Sequence, residues 1–85
     1  MQDKIKFVFF GSSRFSELVL DELVKAGYSP LLTITSAKED LDMDKLRELN
    51  ADVFIVASFG KILPKELVDM PKWGTLNVHP SLLPI

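Results

Sequence analysis

Eighty-five residues carry 10 Lys and Arg against 12 Asp and Glu, a formal charge of −2 with the single histidine neutral. That near balance lacks the basic excess that marks an electrostatic nucleic-acid binder, and 47% apolar with 26% charged residues is too apolar for a disordered chain. The chain has no cysteine, which removes disulfides, thiolate metal sites and cysteine nucleophiles together, and a lone histidine argues against zinc.

Ile5-Lys6-Phe7-Val8-Phe9-Phe10 is a near-continuous run of strand formers ending at Gly11. It is too short for a signal-peptide core or for a membrane span of roughly 18 or more apolar residues, so the expectation is a cytoplasmic chain. Without clean alternation, the run suits a strand covered on both faces. Gly11-Ser12-Ser13 supplies a turn and a helix cap. Phe15, Leu18, Val19, Leu23 and Ala26 then form one helical stripe from Arg14 to Ala26, stopped by Gly27. A second strand follows at Leu31 to Thr35. The polar stretch Ser36 to Asp44 leads into a short helix pinned by Met43, Leu46 and Leu49, which Asn50-Ala51-Asp52 breaks. Val53 to Ala57 is the third strand and Ser58-Phe59-Gly60 a turn. Pro64 opens a helix through about Asp69, and Thr75 to His79 is the fourth strand.

Strands and helices alternating at this spacing specify one small Rossmann-like α/β domain over residues 1–85, with helices on both faces of a parallel sheet. Right-handed crossovers favour the strand order 2-1-3-4. The winding then reverses between the first and third strands, and ligands in such sheets sit at the carboxyl ends of the strands there. That position gathers Gly11 to Arg14, Ala57 to Ile62 and Asn77 to Pro84.

The first of these loops has one glycine where a dinucleotide fingerprint has three, and no Walker-type loop is present. A capped tight turn explains it better than an anion site does. Asn77 and His79 are two apart and share one strand face. A carboxamide dipole beside an imidazole suits oxyanion stabilisation in acyl transfer; a hydrogen-bonded strand end and a turn former suit the same residues. Phe59-Gly60-Lys61-Ile62-Leu63 reads either as a packed corner or as the wall of a flat apolar pocket. Beside such a pocket Lys61, Lys65 and Arg14 are placed to meet a carboxylate; otherwise they are surface charges. The acidic run Glu39 to Asp44 lacks the spacing and central glycine of a calcium loop.

Three segments together carry a resemblance. Phe9-Phe10-Gly11-Ser12-Ser13-Arg14-Phe15-Ser16 resembles the opening of the methionyl-tRNA formyltransferases. Ala57-Ser58-Phe59-Gly60-Lys61-Ile62-Leu63-Pro64 is similar to their third-strand corner. Gly74-Thr75-Leu76-Asn77-Val78-His79-Pro80-Ser81-Leu82-Leu83-Pro84 is close to a signature shared across the formyl-tetrahydrofolate transferases. The resemblance implies a transferase that moves a formyl group from 10-formyltetrahydrofolate to a primary amine. It makes Asn77 and His79 two of three catalytic residues. Phe59, Gly60, Lys61, Ile62 and Leu63 would flank the pteridine, and Ser81, Leu82, Leu83 and Pro84 would contact the folate.

This sequence also departs from that pattern. The family's third catalytic residue, an aspartate beyond the histidine motif, has no counterpart within these residues. The basic, glycine-rich loop of the tRNA branch is replaced by the short acidic stretch Ser36 to Asp44, as if a strand-helix portion were deleted. The family's separate tRNA-binding domain likewise has no counterpart within these residues. The expectation is therefore a truncated domain, inactive in isolation and weak towards tRNA. The alternative is a non-catalytic remnant that binds folate or a protein. In either case an open fourth strand beside Leu82-Leu83-Pro84-Ile85 favours a homodimer or a domain-swapped oligomer.

Overall fold

The hydrophobic run near the N-terminus becomes the second strand in from one edge of a four-stranded sheet, flanked by strands on both sides. The computed structural model describes residues 4–79. The elements are β1 (Phe7–Phe10), α1 (Arg14–Lys25), β2 (Leu32–Ile34), α2 (Met43–Glu48), β3 (Val53–Ala57), α3 (Lys65–Val68) and β4 (Thr75–Val78). All pairings are parallel and the order is β2-β1-β3-β4, as the crossover argument requires. Phe7 stands opposite Val53, and Val56 opposite Asn77.

Every residue of β1 is buried, and its alternation feeds two cores. Phe7 and Phe9 pack with Ala57 beneath α1, against Phe15, Val19, Leu20 and Leu23. Val8 and Phe10 point the other way, into a cluster with Leu46 of α2, Leu67 of α3, Phe54 and Val56. Burying each such aromatic contributes about 1.5–3 kcal/mol, so the five-residue strand β3 and the four-residue β1 supply much of the driving force.

Ile5 and Lys6 lie outside the strand that the sequence suggests. The Lys6 N–H instead donates to the Asp52 carboxylate at 2.9 Å, and its carbonyl accepts from the N–H of Asp52 at 2.7 Å. Asn50, at φ 53°, makes the left-handed turn that sends the chain into this contact. The α1 stripe also differs from expectation. Ser16 is buried, Leu20 packs on the sheet, and Leu18 is half exposed. The cause is the start of the helix. Ser13 and Ser16 form a reciprocal cap, the Ser13 N–H donating to Ser16 Oγ and the Ser16 N–H to Ser13 Oγ. A Cβ built on Gly11 would lie 2.2 Å from Ser16 Cβ, so only glycine admits this close seat. The helix ends as expected, with Gly27 at φ 96°.

Among the described residues, β4 forms one edge of the sheet and pairs only with β3. Beside it Phe15, Leu18, Val19, Leu23 and Val78 line an apolar groove of about 420 Å³. No helix among the described residues is long and apolar enough to cross a membrane.

Candidate active site

At the carboxyl ends of β3 and β4, on the face that carries α3, the surface opens into a cleft of about 480 Å³. Its floor and one side are Val56, Thr75, Asn77, Val78 and His79; the facing wall is Ser58, Phe59, Lys61, Ile62 and Leu63, with Val68 of α3 closing one end. The cleft thus brings together the corner and the Asn-x-His pair that the sequence singled out. Ser81, Leu82, Leu83 and Pro84 lie outside the described residues.

The local reasons are simple. Strand alternation puts Thr75, Asn77 and His79 on one face, and Thr75 fixes that face by donating its hydroxyl to the Val68 carbonyl at 2.7 Å. Asn77 and His79 are both exposed. Both line the cleft, with no side-chain hydrogen-bond partner among the described residues. Across from them the wall turns off β3 at Ser58, which adopts φ 52°. Phe59 is anchored edge-on against Phe10 at 5.7 Å between ring centroids, and Phe10 in turn stacks obliquely on Phe54 at 5.3 Å. Ile62 is 95% exposed, an apolar side chain held out in solvent at the cleft.

Gly60 sits differently from its neighbours. It is not among the cleft-lining residues; its open side faces Ala37 and Ser12, and a Cβ there would make only ordinary contacts at 3.6 and 3.7 Å. The cations are also spoken for. Lys61 Nζ donates to the Glu39 carbonyl at 3.0 Å, tying the wall to the connection between β2 and α2. Lys65 pairs with Asp69 one turn on, and the carboxylate's hydrogen bond and charge raise its ammonium above the ordinary lysine range. Arg14 lies 3.8 Å from Glu17, in a separate hollow with Gly11, Ser12, Ser13, Thr33 and Thr35. Of the three cations, Lys61 alone lines the cleft. Ser12 and Thr75 enter the sequence reading only as members of longer segments, and Val68 not by name; none of the three is named there as a site residue. Thr75 was legible from its two-residue spacing to Asn77, whereas the turn at Gly11 to Ser13 gives no sign of the Ser12 bond to Gly60, 48 positions away.

The formyl transferase family model matches residues 21–85, which contain every residue of the cleft. The chain belongs to the formyl transferase family. Among curated relatives, a methionyl-tRNA formyltransferase from Bacillus licheniformis is 44% identical over 66 residues, 78% of this chain and 21% of that protein. One from Clostridioides difficile is 42% identical over 74 residues, covering 87% of this chain and 22% of the relative. One from Ehrlichia ruminantium is 31% identical over 113 positions, with 94% of this chain and 37% of the relative. The chain thus spans between about a fifth and two fifths of these relatives. The Ehrlichia comparison extends over more positions than this chain has residues, so the relative carries a segment that this formyl transferase chain lacks. The connection between β2 and α2 is residues 35–42, and it is there that the sequence suggests a deletion.

Proposed function

We propose that the cleft is the formyl-donor half of a formyltransferase site, taking 10-formyltetrahydrofolate against the Phe59 to Leu63 wall with its formyl carbon at Asn77 and His79. The observation that carries this is the convergence of both segments on one cleft at the carboxyl ends of β3 and β4. In the reaction a primary amine attacks the formyl carbon and a C–N bond forms. The carbonyl oxygen becomes an oxyanion, which the Asn77 carboxamide N–H and a protonated His79 stabilise. The bond to N10 of the folate then breaks, N10 takes a proton, and a base removes the proton from the amine. Stabilising the oxyanion is the largest contribution expected of this chain, because preorganised donors at developing charge are typically worth ~3–4 kcal/mol each. By analogy with the relatives' names the amine is that of methionyl-tRNA, which sets the reaction in the cytoplasm.

The 85-residue polypeptide alone is expected to bind the donor without turning it over. These residues supply Asn77 and His79 of the three-residue set that the resemblance implies, and their charge of −2 offers tRNA no basic surface excess. Titration with a stable reduced-folate analogue, followed by amide chemical shifts, tests the reading. Perturbations are expected at 58–63 and 77–79. Shifts confined to the amino-end face, around Lys6, Leu31 and Asp52, would overturn it. A second reading, a non-catalytic module that self-associates, is favoured by the edge of β4, open among the described residues, where Leu76 is 56% exposed.

A further inference from the structure

We propose that Ser12 is a positioning residue, a brace between the β1–α1 loop and the cleft wall that holds Phe59 and Lys61 in the orientation a flat ligand needs. The proposal rests on the reading of the cleft as a donor site, but its basis is separate: Ser12 lies outside the 21–85 family match and outside the cleft lining. Its hydroxyl oxygen accepts the Gly60 N–H at 3.0 Å, and its hydroxyl hydrogen is directed to the Ser58 carbonyl at 3.4 Å. The Ser12 N–H donates to that same carbonyl at 3.3 Å. One residue therefore holds both ends of the turn 58–60 from 46 and 48 positions away.

The turn requires such a hold. Ser58 sits at φ 52°, a left-handed conformation that L-residues adopt at a cost. Phe59, between the two braced groups, has its ring fixed from below by Phe10 but nothing in its own backbone regularity to fix it from above. A hydroxyl satisfied as both donor and acceptor cannot rotate away, so Ser12 transmits the position of the β1–α1 loop to the wall.

The test uses the full 85-residue chain with Ser12→Ala and Ser12→Thr beside the wild type. Ser12→Ala is expected to speed hydrogen exchange at the Gly60 amide roughly threefold to tenfold, the range for losing one modest hydrogen bond. It should weaken a stable reduced-folate analogue by a similar factor, with the thermal midpoint little changed, because Ser12 is exposed. Ser12→Thr, which keeps the hydroxyl, should restore both. Unchanged Gly60 exchange in Ser12→Ala overturns the brace, as does Ser12→Thr behaving like alanine. If the wild type binds no analogue, the donor-site reading fails, and Gly60 exchange alone still decides whether Ser12 holds the turn.

Discussion

Gly11 and Gly60 both lie in loops at the carboxyl end of the sheet, but only at Gly11 do the contacts exclude a side chain. At Gly11 the Ser16 Cβ would stand 2.2 Å from a new methyl group, so Gly11→Ala should cost about 1–3 kcal/mol through forced displacement of α1. Urea denaturation checks this, and the loss should exceed that of Gly60→Ala, whose methyl meets only ordinary contacts. The sequence shows both as turn glycines and cannot separate them, because the partner Ser16 becomes buried only once the helix is seated. Asn77 and His79 present the opposite case. Both are exposed, so Asn77→Ala and His79→Ala should change stability by no more than about 0.5 kcal/mol. Thermal melts check that expectation; a large loss for either would mark it as a structural residue at the strand end rather than a group held free for chemistry.

Elements were legible where period and punctuation agreed. Val53 to Ala57 matches β3 residue for residue, since Asn50-Ala51-Asp52 and Ser58 bound an unbroken apolar run. Phe15, Val19 and Leu23 of the expected α1 stripe pack on the sheet, but Ser16 and Leu20 take the places expected of Leu18 and Ala26, because apolarity alone does not reveal a buried serine cap. The same limit hid Ser12, whose role depends on a turn far along the chain. Within the elements, α3 is the one most dependent on a single side chain. It has four residues and no side-chain cap, and only Leu67 among them is fully buried. Leu67→Ala should therefore cost about 2–5 kcal/mol and open the end of the cleft at Val68. The expected signature is a lowered urea midpoint together with altered Asn77 and Thr75 amide shifts.

For the molecule as a whole, two features among the described residues share one side: the edge of β4 that no second strand pairs and the apolar groove between β4 and α1. A domain of this size buries only about 60–65% of its unfolded surface, so unsatisfied apolar area weighs heavily against it. Self-association at that side is expected, and light scattering across a hundredfold dilution should show a mass above the monomer that falls with concentration. Leu76→Lys, placing charge on the exposed edge, should shift the balance towards monomer. A monomer at every concentration would count against the edge as an interface. The reversal of winding between β1 and β3 has a different consequence. Every cleft-lining side chain belongs to residues 56–79, whereas Ser12 belongs to the βαβ unit that precedes the turn into α2. A cut in the 35–42 connection would part the reactive groups from the unit that aligns them, leaving two fragments rejoined by the β1–β3 ladder, the Phe10 contacts and the Ser12 bonds, the chemistry on one and its geometry on the other.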